Sequence, residues 1–241
     1  MKSGEQWYSP RLQRHLSLVR WGSYGVPVLV FPTAGGDAEE VERNGLVEAC
    51  WPLIAAGRIK LYSCDSLAGA AMLAGEGTIE HRMWLAGQFQ EAVAHEVAPA
   101  MRLDSGGYWD GLIAAGASIG AFNAVGVLCR YPHVFGAAIG MSGSYDIQRF
   151  YDGAFSDDLY FASPLHFVPG LEGEPLDVLR TRFAILASGE GAHEDVGESW
   201  RLADVLGAKG VPNRVDAWGP DWPHEWHTWQ AMLPQYLDEL V

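Results

Sequence analysis

The chain has 241 residues, 49% hydrophobic and 19% charged, which fits one large globular domain (1–241) with a substantial core and excludes a disordered chain. Sixteen basic residues against 30 acidic ones give a net charge of −14, so neither nucleic acid nor an anionic membrane surface is an expected partner. No apolar run approaches the roughly 20 residues of a membrane helix, and the polar start Met1 to Gln6 has no secretory pattern, so a cytoplasmic protein is expected.

In chain order, the alternation from Arg14 to Arg20 predicts an early antiparallel strand. After the turn Gly22 to Gly25 comes Val26 to Phe31, a continuous apolar run of the kind buried on both faces of a parallel sheet. Similar runs follow at Ile59 to Ser63, Leu112 to Ala115, Ala137 to Met141 and Phe183 to Ala187, with Arg214 to Trp218 as the last strand. Helical patterns lie between them, over Val41 to Ala55, Glu80 to Met101, Ile119 to Arg130 and Glu198 to Lys209. Strands alternating with helices predict an α/β fold, a mostly parallel sheet covered on both faces. The stretch 148–174, rich in Tyr, Phe, Asp and Pro, breaks the alternation and is read as a small aromatic cap over the site. Cys50, Cys64 and Cys129 form no C-x-x-C pair and are expected to be reduced and buried, neither catalytic nor metal-binding.

Between a predicted strand and a predicted helix stands Gly116-Ala117-Ser118-Ile119-Gly120, a G-x-S-x-G sequence. A sharp strand–turn–helix needs small residues two places either side of the serine, and both are glycine. Such a turn lifts the Ser118 hydroxyl to the helix N-terminus and leaves the Ile119 amide free to hold an oxyanion. The alternative is a glycine-rich turn whose serine merely caps the helix.

A serine nucleophile needs a base, and in this arrangement the chain order is serine, acid, histidine. Val215 to Trp218 reads as the last strand and Gly219 to Pro223 as the loop leaving it, which puts His224 within reach of Ser118. His227 lies one helical turn further and is the weaker candidate. The acid belongs on the loop 188–195, where Glu190, Glu194 and Asp195 are all available and spacing alone does not choose. The loop Pro32 to Asp37 carries a Gly-Gly pair and is expected to supply the second oxyanion amide, Ala34 or a neighbour, with Thr33 and Gly35 against the substrate. Asp37 reads as a helix cap. Trp218, Trp222, Trp226 and Trp229 flank His224, and Trp222 is a candidate to line the substrate pocket.

Taken together, Phe31 to Asp37, Gly116 to Ala124, Lys209 to Gly219 and the tail from His224 through Trp229 to Pro234 resemble the esterase D branch of the α/β-hydrolases, especially its small single-domain bacterial members. The resemblance implies an α/β-hydrolase fold and acyl chemistry on a small-molecule ester or thioester, without metal or organic cofactor. It puts Ser118 and His224 on the family's nucleophile and base, and its acid-loop pattern favours Glu194, although Val196 stands where the family usually has Pro. Glu225 likewise stands where the family usually has Asp. An acyltransferase using the same residues and a non-catalytic binding module are the competing readings. The sequence sets neither the acyl group nor the oligomeric state.

Overall fold

The computed structural model describes residues 1–107 and 111–241. The apolar runs become strands because their backbones pair on both edges while their side chains leave water on both faces. Eight strands form one sheet: β1 (Lys2–Ser9), β2 (Arg14–Trp21), β3 (Val26–Phe31), β4 (Ile59–Cys64), β5 (Leu112–Ala117), β6 (Phe135–Met141), β7 (Phe183–Ser188) and β8 (Asn213–Ala217). Their order is β1-β2-β4-β3-β5-β6-β7-β8. The β1/β2 and β2/β4 pairs are antiparallel and the rest parallel. Every residue of β4 and β5 is buried. The first strand was not anticipated: Lys2–Ser9 is polar and mostly exposed, and only its pairing with β2 identifies it.

The predicted helix from Val41 to Ala55 is three short ones, α1 (Glu40–Arg43), α2 (Leu46–Ala49) and α3 (Trp51–Ala55). Gly45, at φ 72°, and Pro52 break it, since neither a left-handed residue nor an interior proline continues a helix. Next come α4 (Leu67–Ala74), α5 (Ile79–Ala92) and α6 (Ala98–Asp104), with one π-helical turn at Val93–Val97 joining the last two. Then follow α7 (Ile119–Arg130), α8 (Asp157–Ala162), α9 (Pro164–Phe167), α10 (Glu174–Leu179), α11 (Val196–Ala208) and α12 (Trp226–Leu240). No helix among the described residues is long and apolar enough to cross a membrane.

Strand alternation splits the core in two. Leu29 and Phe31 join α5 and α7 on one face, while Val28 and Val30 join α1 to α3 and α12 on the other. All three cysteines are free and buried, and burial pushes the Cys50 thiol up to about 12.

Register then sets the site's position. Phe31 lies opposite Gly116, Ala117 opposite Met141, and Met141 opposite Ala187, so β3, β5, β6 and β7 end along one rim. The sheet reverses direction of growth at β3, which sits between β4 and β5. The crevice outside the carboxyl ends at such a switch point is where open α/β sheets bind ligands.

Candidate active site

The turn after β5 is enforced by backbone crowding. A Cβ on Gly116 would stand 2.4 Å from the Gly120 backbone, and one on Gly120 would stand 2.6 Å from the Pro32 carbonyl and 2.7 Å from that of Phe31. Only glycine at both places lets α7 start directly over the end of β3. Ser118 between them takes φ 57°, ψ −120°, a conformation costly for a residue with a Cβ. It is held there from both sides. The Ser118 amide donates to the Met141 carbonyl at 3.0 Å, and its own carbonyl accepts from Ala121 at 3.1 Å and Ser144 at 3.3 Å. The Ser118 side chain makes no capping bond to α7, so the serine is not there to cap the helix. Among the described residues, the Ile119 amide has no hydrogen-bond partner.

The loop after β3 is braced by a residue the sequence reading passed over. Glu40, at the start of α1, accepts from the Thr33 amide at 2.8 Å and the Thr33 hydroxyl at 2.9 Å. The Gly36 amide donates back to the Thr33 carbonyl at 3.1 Å, and the Gly36 carbonyl accepts from Ser66 at 2.9 Å. A Cβ on Gly69 would lie 2.3 Å from the Ala34 carbonyl, so α4 is packed hard onto the loop. The amides of Ala34 and Gly35 have no partner among the described residues. Asp37 is not the cap of α1, whose N-cap is Glu39 with no side-chain capping bond; it closes the turn before the helix, accepting from the Glu39 amide at 2.9 Å and pairing with Arg43 at 2.8 Å.

Across the cleft, the loops after β7 and β8 are zipped together. Glu190 donates its amide to the Gly219 carbonyl at 2.9 Å, Gly191 to Trp222 at 3.1 Å, and His224 to Ala192 at 3.0 Å. Gly189 and Gly191 permit this, because a Cβ at either would strike the 220–223 backbone. The pairing brings His224 Nδ1 to 3.7 Å from Glu194 Oε2, and the Glu194 side chain is 1% exposed. Oε2 also accepts from the Ser188 hydroxyl at 3.1 Å, and Oε1 accepts from Ser142. Trp229 Nε1 donates to the Ser142 oxygen at 2.9 Å, and its ring meets the His224 ring edge-on at 5.2 Å. Of the three carboxylates left open by spacing, Glu194 is the one beside the histidine. Asp195 caps α11, accepting from the Gly197 amide at 3.0 Å, and Glu190 is exposed.

Ser118 and His224 line one cleft of about 550 Å³, with Thr33, Ala34 and Gly35 on one wall and Leu73, Glu225, Trp226, His227 and Trp229 completing it. No hydrogen bond joins Ser118 to His224 among the described residues, a looseness common in catalytic sites without substrate. His227 stands at the cleft with its Nδ1 3.4 Å from Glu225, turned to a different carboxylate from His224. Trp222 is not on the lining. Its ring packs edge-on against Trp218 at 4.9 Å and lies 6.5 Å from the ring of His227 at the edge of the cleft.

The stretch 148–174 does lie between β6 and β7, but it contributes no residue to the cleft and forms no cap there. Leu159, Ala162, Phe167 and Val168 are buried in the core beside α5 and α7, and the Gln90 side chain donates to the Ala162 carbonyl at 2.9 Å. Part of its apolar content is thus packed on the helices, while Phe150, Phe155 and Phe161 are exposed. Four site contributors escaped the sequence reading. Ser142 and Ser188 carry a faint signal, as the polar residues that end or follow apolar strands on the site's rim, whereas Glu40 and Leu73 carry none. Among the described residues, no group of three or more His, Cys, Asp or Glu side chains could hold a metal ion.

No protein-family model matches the chain, and no curated protein is similar to it in sequence. Solved structures are similar over its whole length. A ferulic acid esterase superposes with TM-score 0.75 at 14% identity, covering 100% of this chain and 99% of the other. An S-formylglutathione hydrolase from Agrobacterium tumefaciens gives 0.74 at 11% identity, covering 99% and 94%. MPT51 of Mycobacterium tuberculosis gives 0.71 at 16%, covering 100% and 97%. The chain therefore has the α/β-hydrolase fold.

Proposed function

We propose that the chain is a serine hydrolase that cleaves carboxylic esters or thioesters of small molecules, with Ser118 as nucleophile, His224 as general base and Glu194 as the acid that orients it. One observation carries this reading: a serine forced into a left-handed turn at a helix N-terminus shares a cleft with a histidine whose far nitrogen faces a buried carboxylate. The esterase fold-relatives support acyl chemistry by analogy.

Glu194, whose Oε2 stands 3.7 Å from Nδ1 of His224, orients the ring with Nδ1 protonated on its side, which leaves Nε2 unprotonated toward Ser118. His224 takes the Ser118 proton as Oγ attacks the substrate carbonyl, and the negative charge passes to the carbonyl oxygen. The unpartnered amides of Ile119 and Ala34 receive that oxyanion, with Gly35 beside them. They are fixed in advance by α7 and by Glu40, so little reorganisation is needed when charge develops. The C–O or C–S bond then breaks, and His224 returns the proton to the leaving oxygen or sulfur. Water, deprotonated by His224, attacks the acyl-enzyme and releases the acid and free Ser118. Leu73, Trp226 and Trp229 offer apolar surface to the substrate's organic groups, and Thr33 and Gly35 border the reacting carbonyl.

The test is to treat the protein with a fluorophosphonate and map the adduct by mass spectrometry, alongside turnover of p-nitrophenyl acetate and butyrate. Labelling at Ser118, with turnover abolished by Ser118→Ala, is the expected result. Full activity in Ser118→Ala, or no adduct on Ser118 in folded protein, would overturn it.

A further inference from the structure

The Glu194 carboxylate is 1% exposed and depends on the protein for its hydrogen bonds. Among the described residues, the hydroxyls of Ser142 and Ser188 are its hydrogen-bond donors. They are not equivalent. A hydroxyl has one proton, and that of Ser188 has two acceptors, the Gly189 carbonyl at 2.9 Å and Glu194 Oε2 at 3.1 Å. It also shares Oε2 with His224. Ser142 has a single acceptor, Oε1, and its own oxygen receives the indole N–H of Trp229 at 2.9 Å. With that lone pair occupied, the Ser142 proton is directed at Glu194.

The backbone at Ser142 supports a specific placement. It follows β6 at φ 49°, a left-handed conformation unfavourable for serine, and its amide is tied to the Ala187 carbonyl at 2.8 Å. Ser118 and Ser142 thus stand strained at the ends of two adjacent strands, one facing the cleft and the other buried at 3% exposure behind the acid. Trp229, 3% exposed, touches both partners of the pair, the His224 ring directly and Glu194 through Ser142.

We propose that Ser142 is a positioning residue: oriented by Trp229, its hydroxyl pins Glu194 Oε1 so that Oε2 stays turned toward Nδ1 of His224. This role rests on the hydrolase reading above. Ser142 does not line the cleft, so its loss acts on the chemical step and not on substrate binding.

The experiment measures kcat and KM for p-nitrophenyl butyrate, the thermal midpoint, and the rate of fluorophosphonate labelling at Ser118, in wild type, Ser142→Ala and Ser188→Ala. Ser142→Gly is the second variant, since glycine takes the left-handed backbone without strain and keeps the protein folded. The expected result is a loss of about tenfold to a hundredfold in kcat and in labelling rate for both Ser142 variants, with KM unchanged. Ser188→Ala is expected to lose less than either. A folded Ser142→Gly with wild-type kcat and labelling rate would overturn the proposal, as would a loss appearing only in KM or only in the thermal midpoint. If wild type itself shows neither labelling nor turnover, the hydrolase reading falls and this role falls with it. If wild type reacts normally and the Ser142 variants do too, only the positioning role is lost.

Discussion

The nucleophile side of the cleft and its acid–base side are held by different forces. Ser118 is placed by backbone contacts that no side-chain rotation relieves: Gly116 against Gly120, Gly120 against the end of β3, and two backbone hydrogen bonds to β6 and Ser144. Glu194 and His224 are placed by hydrogen bonds between two loops and by a chain of polar side chains, Trp229 to Ser142 to Glu194. Steric exclusion is local and leaves its mark in a short sequence. A hydrogen-bond network assembled from the residue after β6, the β7 loop and α12 leaves only the faint mark of polar residues at strand ends, since its bonded pairs are 52 and 87 residues apart. The first kind of construction tolerates almost no substitution at its glycines. The second should degrade in steps.

Substitutions that separate the two sides follow from this, beginning with the most damaging. His224→Ala removes the one base candidate that, among the described residues, faces a buried carboxylate, and should lower kcat by about 10⁴-fold or more, read from ester turnover with the thermal midpoint unchanged. Glu194→Gln keeps the shape but loses the charge that stabilises the imidazolium, with an expected loss of about 10³-fold to 10⁴-fold. If Asp195→Ala proved more damaging to kcat than Glu194→Gln, the assignment of the acid would be reversed.

Gly120→Ala should act on structure first. Its Cβ has no space against the Phe31 and Pro32 carbonyls, and overpacking of this kind costs about 1–3 kcal/mol in chemical denaturation. Turnover should fall with it, because α7 carries Ile119. Full stability in this variant would show the elbow to be softer than its contacts indicate. Glu40→Ala frees the Thr33 amide and hydroxyl and loosens the Ala34–Gly35 amides. A loss of about tenfold in kcat is expected, less than the 10²-fold to 10³-fold effect of deleting an oxyanion donor outright. Smallest is Asp195→Ala, which removes the α11 cap at a cost of about 1 kcal/mol and leaves turnover at the wild-type level.

Most of the sheet was legible because each central strand is a short apolar run with turn residues at both ends. The run at Val26–Phe31 matches β3 at both ends, and the helix Ile119–Arg130 matches α7. Helix continuity was not legible. The pattern over Val41 to Ala55 is apolar at helical spacing, yet Gly45 and Pro52 divide it into three turns that wrap the sheet. The aromatic stretch 148–174 misled for a related reason. Composition does not report which apolar residues are buried or which surface they meet: here Leu159, Ala162, Phe167 and Val168 pack beside α5 and α7, while Phe150, Phe155 and Phe161 are exposed.

For this protein the sequence alone determined the parallel α/β architecture and the positions of Ser118 and His224, because strand burial, the glycine pair and the strand–loop order are all properties of neighbouring residues. Tertiary structure decided which carboxylate meets the histidine, that Trp229 and not Trp222 lines the cleft, and that Glu40 braces the loop of Ala34. Those choices depend on which strand ends lie side by side and on where a hydroxyl's single proton points. Both are settled only once the sheet has closed its register.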